Sequence, residues 1–272
     1  MNAIIQKIKS ILINLLGYRI LLFTGDLLVY DRYRWLIKYL PRTHNGEKLL
    51  DVGCGSGAFT IAAAARGYHA TGISWDTRNQ HEAERTASFS SIKNKTDFDV
   101  LDIRSLDEHT AFHQTFDVCI NFENIEHIIN DNKLMIDIYQ CLKPGGMLLF
   151  SSPNFFLHPI SQTDQGPFST IEDGGHVRRG YTKVMLKELC ENAGFRIELI
   201  SGCSGYFSQR ITRIYRFFFG FHPLLAWLVV LPLRIIPVLF DGLFRRFFRY
   251  RDYSICMIAM KPRYAKSQPS KA

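Results

Sequence analysis

A glycine-rich stretch that begins with an acidic residue is the part of this sequence that most clearly indicates ligand binding. Residues 51–57 read D-V-G-C-G-S-G. Glycine is needed where a ligand approaches the backbone closely or where φ is positive. Dinucleotide sites use the spacing G-x-G-x-x-G and place a pyrophosphate on a helix N-terminus. The different spacing and the adjacent carboxylate disfavour a nicotinamide-dependent oxidoreductase and favour a ligand that carries an ammonium and a sulfonium group.

Regular elements on either side position this stretch. The apolar run 48–52 predicts a strand, and 58–66, closed by Gly67, predicts a helix. A strand, a glycine turn and a helix in this order form the first βα unit of a doubly wound sheet. Further strands are predicted at 68–73, 98–102, 116–122, 147–151, 195–201 and 253–261. The sequence therefore predicts an α/β protein.

The motif LLDVGCGSG resembles the first motif of class I S-adenosylmethionine-dependent methyltransferases of type 11/23. Two further segments match the family pattern in order: Asp102-Ile103 after the third strand, and the LKPGG turn before the fifth. The resemblance runs from residue 49 to about residue 200. It implies a Rossmann-like, seven-stranded, doubly wound sheet with an antiparallel last strand, S-adenosylmethionine as cofactor, and methyl transfer as the activity.

The resemblance also implies the cofactor-binding residues. The family usually has an acidic residue at the end of the second strand, where this chain has Ser74, followed by Asp76. Either Ser74 makes one hydrogen bond to the ribose or Asp76 reaches back to it, with Asn79 and Gln80 able to assist. The full set expected to hold the cofactor is Asp51, Gly53, Cys54, Gly55, Gly57, Ser74, Asp76, Asp102, Ile103, Asn121 and Glu123.

Candidate acceptor-side residues lie after the fourth and fifth strands. Glu123-x-x-Glu126-His127 is similar to the E-x-x-E-H of ubiquinone-pathway O-methyltransferases, where these side chains are associated with a divalent metal. Because an E-H pair here is widespread in metal-free members, we expect no metal, and His127 as a catalytic or positioning residue. Residues 154–181 form a long loop without periodicity, and such loops are usually functional. His176 in this loop is the first candidate for a general base.

Composition and charge bound the remaining possibilities. The chain has 272 residues, is 47% apolar and 21% charged, and carries a formal charge of +8. This composition supplies a buried core and excludes a disordered chain. The six cysteines form no C-x-x-C pair, which indicates a reducing compartment and no zinc cluster. Residues 49–203 are acidic and the flanks are basic. Because the basic flanks are also strongly apolar, we expect no nucleic-acid partner.

The apolar flanks predict membrane-surface segments. Residues 2–16 have the spacing of an amphipathic helix. Residues 217–233 are uncharged and bounded by Arg216 and Arg234, but at 1.5 Å per residue they cover only about 25 Å of a ~30 Å hydrocarbon core. Prolines interrupt the stretch further. We expect a broken helical hairpin in the membrane interface whose arginines reach anionic headgroups; a dimer interface or buried core helix is the alternative.

The predicted order of elements relates the apolar segments to the methyltransferase domain. Residues 1–48 are expected to form amphipathic helices, 49–203 and 253–263 the methyltransferase domain, 204–252 a basic hydrophobic helical insertion between strands 6 and 7, and 264–272 a flexible basic tail. The insertion should leave and re-enter the sheet at the cofactor edge. We expect a cytoplasmic, peripheral or monotopic enzyme that O-methylates a lipid-like or lipid-linked acceptor. The alternatives are a soluble small-molecule or glycan methyltransferase that uses the insertion for homodimerisation, and a non-catalytic membrane-surface scaffold.

Overall fold

A seven-stranded β-sheet with helices on both faces forms the centre of the protein. The computed structural model describes residues 19–89, 92–161 and 164–263, together with Ile11 and Ile13. Apart from those two isoleucines, the helix expected over 2–16 lies outside the described residues, as does all of the tail 264–272.

The sheet has the strand order β3-β2-β1-β4-β5-β7-β6. Strands β1 to β5 pair in parallel, and β7 pairs antiparallel with both β5 and β6. The predicted doubly wound sheet with an antiparallel last strand is therefore confirmed. The strands are β1 (Lys48–Val52), β2 (His69–Ser74), β3 (Thr96–Val100), β4 (Phe116–Phe122), β5 (Leu142–Pro153), β6 (Arg196–Cys203) and β7 (Ser254–Met260).

The helices cover both faces of this sheet. Adjacent strand residues point to opposite faces, so that Leu49 packs in one hydrophobic cluster and Leu50 in the other. This double burial explains why the strand reads as a continuous apolar run. The helices are α1 (Arg19–Thr24), α2 (Leu27–Tyr39), α3 (Ala58–Ala64), α4 (Thr77–Ser88), α5 (Asp131–Cys141), α6 (Lys183–Asn192), α7 (Tyr206–Phe219), α8 (Pro223–Val230) and α9 (Ile235–Phe248).

Strand β5 begins earlier than its sequence predicts. It follows α5 directly and includes the LKPGG segment, which was expected to be a turn outside the strand. Leu142 pairs with Phe116, and the register then shifts before Val118 pairs with Met147. Gly145 has φ +85° and its amide donates to Lys261 O at 2.9 Å. The segment is thus an irregularity within the strand, held by both neighbouring strands.

The insertion between β6 and β7 is helical, as predicted, and folds back on itself. Helix α7 forms its first limb, and α8, a 3-10 turn at Leu231–Arg234 and α9 form the limb that packs back on α7. Asp241 of α9 accepts hydrogen bonds from Phe207 N and Ser208 Oγ, both at 2.7 Å, so α9 caps the N-terminus of α7. Among the described residues, one helical run, Leu224–Phe248, is long and apolar enough to span a membrane by length and composition.

The insertion is fastened to the N-terminal helices by a buried arginine. Arg234 is 1% exposed and donates to the carbonyls of Phe23 and Gly25. This differs from the expectation that the arginines bounding the apolar stretch reach the membrane surface. Because a buried guanidinium must keep its hydrogen bonds, Arg234 fixes the 3-10 turn against the α1–α2 connection. Leu27, Ile211 and Val230 form a small hydrophobic cluster at the same junction.

A buried carboxyl also lies at this junction. Burial raises the pKa of Asp31 on α2 to about 6, and the nearby charge of Asp241 raises it further. Hydrogen bonding to Ser208 and, more weakly, the charge of Arg34 act in the opposite direction. The folded chain therefore holds this proton more tightly than the unfolded chain does. Its contribution to stability is complete below the unfolded pKa near 3.8 and is lost as the pH rises through about 6.

Replacing Asp31 with Asn should therefore stabilise the protein at high pH. At pH 8 the ionised carboxylate costs at most about 3 kcal/mol, so Asp31→Asn should raise Tm at pH 8. At pH 4.5 it should raise Tm by only about a third as much, because most of the contribution of the bound proton is still present there. Thermal unfolding at the two pH values measures the difference. Asp97→Asn removes a charge from an exposed position on edge strand β3 and is the control. Equal Tm shifts for Asp31→Asn at both pH values would contradict the assignment.

Candidate active site

The glycine turn after β1 has the conformation that the motif requires. Gly53, Gly55 and Gly57 have φ values of +77°, +52° and +78°. The amides of Gly53 and Cys54 both donate to Ile73 O, at 3.0 and 2.9 Å, which holds the turn against the end of β2. A Cβ added at Gly55 would meet no atom within 4 Å, whereas one at Gly53 would lie 2.1 Å from Asn124 Nδ2. Gly55 thus borders open space, and Gly53 is needed for close packing.

The open space belongs to a cavity of about 370 Å³ at the carboxyl ends of β1, β2 and β4. Of the predicted residues, those that line it are Gly53, Gly55, Ser74, Asp76, Asn79, Asp102, Ile103, Glu123 and His127. The lining residues not singled out from the sequence are Trp75, Arg104, Asn124, Ile128, Glu172 and Gly174. Trp75 and Arg104 each follow a predicted strand end by two residues. This position in the chain is the sequence signal that could have identified them.

Other predicted cofactor residues lie beneath the cavity and do not line it. Asp51 is buried and accepts a hydrogen bond from Thr60 Oγ1 at 2.7 Å; burial raises its pKa to about 7. Asn121 donates to Val52 O at 2.9 Å, and Gly57 is the N-cap of α3. These three residues shape the strand ends and the turn.

Cys54 and Gln80 are also engaged below the cavity. Cys54 Sγ lies 3.4 Å from Gln80 Oε1, and Gln80 Nε2 donates to the carbonyls of Gly72 and Asp99. Gln80, expected to assist at the ribose, therefore bridges β2 and β3. Asn79 does line the cavity.

Two carboxylates at the cavity wall cap the helices that follow them. Asp76 accepts from Arg78 N at 2.8 Å, and Asp102 accepts from Arg104 N at 3.0 Å. Hydrogen bonding from the Arg104 guanidinium lowers the pKa of Asp102. Arg104 also donates to Glu172 at 3.0 Å, which ties the long loop to the third strand end. The Asp102 carboxylate is thus ionised and already shared with Arg104.

The acceptor side of the cavity brings the two predicted histidines together. The rings of His127 and His176 lie 4.7 Å apart, edge to face. His127 Nδ1 donates to Gly175 O at 3.0 Å. Burial lowers the pKa of His176, and the neighbouring His127 lowers it further. His176 is therefore neutral at pH 7 and able to accept a proton.

The carboxylates beside these histidines have separate roles. Glu126 is fully buried, and its burial, followed by the charge of Glu123, raises its pKa well above the usual range. Glu126, His127 and His176 offer ligand atoms within 4.8 Å of one another. Glu123, which the sequence grouped with Glu126 and His127, instead accepts from Ser151 Oγ at 3.0 Å and pairs with Arg32 of α2 at 3.5 Å. The structure thus joins His176, rather than Glu123, to the E-H pair.

The loop between β5 and α6 lies over this edge of the sheet, as predicted. Val177 N donates to Glu126 O at 3.0 Å, and Arg178 donates to the carbonyls of Ile128 and Ile129 at 2.8 Å. Tyr181 Oη donates to Asp131 at 2.7 Å, which fixes the end of the loop. These contacts hold His176 against His127, which lines the cavity; His176 itself is not one of the lining residues.

The residues of this cavity fit S-adenosylmethionine. Side-chain carboxylates of Asp76, Asp102, Glu123 and Glu172 give the wall the negative charge that a sulfonium and an ammonium group require. The open side of Gly55 allows close approach to the backbone. Trp75 is 61% exposed and presents a flat ring at the rim, suited to a purine.

Gly55→Val should abolish binding of S-adenosylmethionine. A β-branched side chain at φ +52° costs about 1–2 kcal/mol and fills the open side of the cavity, so we expect at least a 100-fold loss of affinity by calorimetry. Gly242→Ala is the control, because Gly242 also borders open space but lies in α9. Undiminished binding by Gly55→Val would contradict the site.

Comparison with known proteins identifies the family to which the chain belongs. Residues 29–200 match the family model described as a methyltransferase domain. The chain is 33% identical over 163 residues to a ubiquinone biosynthesis O-methyltransferase of Psychrobacter arcticus, covering 58% of this chain and 62% of that protein. It is 30% identical over 176 residues to the same enzyme of Azoarcus sp., covering 62% of this chain and 72% of that protein. The match to the Psychrobacter protein thus spans less than two thirds of its length.

Solved structures show the same fold at lower identity. Phosphoethanolamine N-methyltransferase 2 of Haemonchus contortus, in complex with S-adenosyl-L-methionine, has a TM-score of 0.59 at 19% identity, covering 93% of this chain and 60% of that one. An S-adenosylmethionine-dependent methyltransferase from Mesorhizobium loti has a TM-score of 0.53 at 18% identity, covering 84% of this chain and 96% of that one. With more than half of its length matched by the family model, the chain belongs to the class I methyltransferases and is an enzyme that uses S-adenosylmethionine as its cofactor.

Proposed function

We propose that this methyltransferase acts at a membrane surface and methylates an oxygen atom of a lipid-like or lipid-linked acceptor. The observation that carries the proposal is an exposed apolar face on the insertion, which leaves the sheet at the edge that holds the cofactor cavity. Cys203 at the end of β6 pairs with Ser254 at the start of β7. The insertion therefore begins and ends beside the carboxyl ends of the parallel strands.

The apolar face is concentrated on this insertion. Of the twenty-two large hydrophobic side chains that are exposed in the described part of the chain, twelve lie between residues 217 and 248. Such a patch indicates a protein or membrane contact surface. Because both ends of the insertion join one sheet, it must cross a bilayer an even number of times or not at all. Helix α7 packs on α2, and this supports a hairpin that lies in the interface.

Helix α2 connects this surface to the active site. Leu27 at its start packs with Ile211 and Val230 of the insertion. Arg32, little more than one turn further, pairs with Glu123 at the cavity wall. A single helix therefore contacts both the insertion and a residue beside the cofactor, so the insertion has a fixed place relative to the cavity.

The acceptor-side residues suit methylation of a hydroxyl group. When bound, the cofactor supplies an activated methyl group. The protein must then hold the acceptor oxygen in line with that methyl group, exclude water and remove one proton. In this proposal neutral His176 takes the proton, and His127, whose Nδ1 donates to Gly175 O, packs against its ring and orients it. The names of the relatives from Psychrobacter and Azoarcus support an oxygen acceptor.

His176→Gln should lower kcat about 100-fold, the usual contribution of a general base, and leave the affinity for S-adenosylmethionine unchanged. Activity is measured as transfer of labelled methyl groups to a total lipid extract, and affinity by calorimetry. We expect activity to survive dialysis against EDTA. Loss of activity on chelation, restored by Mg²⁺ or Zn²⁺, would instead assign Glu126, His127 and His176 to a metal site. Full activity of His176→Gln without a metal requirement would contradict the base assignment.

The membrane surface can be tested on α9. Leu243 and Phe247 are 53% and 69% exposed and, four residues apart, share one helix face. Leu243→Ser/Phe247→Ser should reduce partitioning onto vesicles of phosphatidylcholine and phosphatidylglycerol by about 10- to 100-fold. Full burial contributes roughly 1.5–3 kcal/mol per side chain, and about half of each side chain remains to be buried on membrane contact. Ile136→Ser, on α5, is the control.

The soluble alternatives predict a different outcome for these variants. If the apolar face forms a dimer, the wild-type protein stays in the supernatant with vesicles and elutes as a dimer, and Leu243→Ser/Phe247→Ser elutes as a monomer. If the acceptor is a soluble small molecule or glycan, labelled S-adenosylmethionine transfers no methyl group to any fraction of the lipid extract. Either result would overturn the proposal.

A further inference from the structure

A second cavity, of about 550 Å³, lies at the same edge of the sheet, between the end of β6 and the start of β7. Its lining includes four cationic side chains, Lys183, Arg245, Arg249 and Arg251, and one carboxylate, that of Asp252. We propose that this cavity binds the phosphate or diphosphate group of an amphiphilic molecule. The proposal rests on the membrane-surface function above and adds the chemical class of the group that is recognised.

The charges of this lining are not balanced within the protein. Arg245 pairs with Asp252 at 3.0 Å and donates to Gly202 O at 3.2 Å. Lys183, Arg249 and Arg251 form no close ion pair within the described ranges of the chain. Lys183 attracts Asp252 at longer range, and Arg251 lies over the ring of Phe156 at 5.0 Å. Three unpaired cations around one cavity repel one another, and a multivalent anion is the ligand that relieves this repulsion.

A buried hydroxyl in the cavity wall also lacks a partner. Ser254 is completely buried, and its Oγ has no hydrogen-bond partner among the residues that the structure describes. A buried polar group left unpaired is costly, so a ligand oxygen that accepts from Ser254 Oγ would remove the cost. The first turn of α6, at Thr182, Lys183 and Val184, lines the same cavity and adds the partial positive charge of a helix N-terminus.

The backbone at Arg249 is unfavourable for its side chain. Arg249 ends α9 in the left-handed conformation, with φ +49° and ψ +32°. Glycine and asparagine are the usual residues at such helix ends, because other side chains are strained there. Strain of this kind is concentrated at functional sites. An arginine in this place, lining a cavity, points to a role of its guanidinium in binding.

Neighbouring contacts hold the segment that carries these cations in one conformation. Gln209 Nε2 donates to the carbonyls of Ser204 and Arg251, at 3.0 and 2.9 Å. Asn154 Nδ2 donates to Asp252 O at 3.1 Å. The ring of Tyr250 stacks on His158 at 5.1 Å. A site fixed in advance loses less entropy on binding than a flexible one.

The position of the cavity suits a ligand with an apolar chain. Three strand spacings separate β1, beside the cofactor cavity, from β7, which amounts to roughly 14 Å. Phe247 and Phe248, at the exposed end of α9, precede Arg249 directly. An amphiphile bound through its phosphate can therefore rest its chain on the apolar face. The phosphate can belong to a bilayer lipid or to the methyl acceptor itself.

Titration of the purified full-length protein with inorganic pyrophosphate, without any membrane, tests the cavity. We expect saturable binding by calorimetry. Arg249→Gly should weaken it at least tenfold while Tm stays the same or rises, because glycine relieves the backbone strain. Ser254→Ala should also weaken it, with Tm unchanged. Arg246→Gln is the matched control: it removes the same charge from the same helix end, but Arg246 does not line the cavity.

Two results would overturn the cavity assignment. One is the absence of wild-type binding at millimolar pyrophosphate; the other is an equal loss in Arg249→Gly and Arg246→Gln, which would indicate diffuse electrostatic attraction. Because this titration involves no lipid and no methyl transfer, its failure is distinct from failure of the membrane-surface function.

Two further measurements distinguish the sources of the phosphate. If it belongs to a bilayer lipid, Arg249→Gly should sediment less than Arg246→Gln with vesicles that contain phosphatidic acid, and equally with phosphatidylcholine alone. If it belongs to the acceptor, phosphatase treatment of the lipid extract should abolish incorporation of labelled methyl groups. No effect in either measurement would overturn the assignment to an amphiphile.

Discussion

The antiparallel position of β7 between β5 and β6 is the constraint on which the arrangement of this protein depends. Because β7 runs against both neighbours, the chain that leaves β6 at the carboxyl edge of the sheet must return to β7 at that same edge. The insertion between Cys203 and Ser254 therefore begins and ends on the side of the sheet where the parallel strands end. In doubly wound sheets this is also where ligands bind. The hydrophobic insertion thus shares an edge with the cofactor cavity as a consequence of strand direction.

Buried polar contacts then fix the insertion to the rest of the molecule. Arg234 binds the carbonyls of the α1–α2 connection, and Asp241 caps α7. Two neighbouring residues of α2 extend these contacts to the cavity wall. Asp31 is buried near Ser208 of the insertion, and Arg32 pairs with Glu123 at the cavity. Buried charges such as these are costly unless they are paired. They give the insertion one orientation, which apolar packing alone specifies less sharply.

The charge pattern of the sequence has a spatial counterpart at this edge. Carboxylates of the acidic middle segment line the cavity for the cationic cofactor. Cations that belong mostly to the basic insertion line the second cavity, with Lys183 contributed by α6. Although the net charge is +8, one edge of the sheet therefore carries two sites of opposite charge. The acidic cavity suits a cationic ligand, and the basic cavity suits an anionic one.

The sequence by itself determined the α/β class, the order of strands and motifs along the chain, and the glycine turn. These features depend on short-range periodicity and on backbone conformations that few residue types can adopt. Ser74, Asp76 and Asp102, which the sequence predicts at strand ends, line the cavity because strand ends share an edge. Only the tertiary structure decided that Arg234 is buried. It also decided that Glu123 pairs with Arg32, so that His176 is the residue beside Glu126 and His127. The buried hydrogen bonds by which Asp51 and Asn121 support the turn likewise appear only in the folded chain. These outcomes depend on contacts between residues far apart in the chain, which local pattern and spacing do not encode.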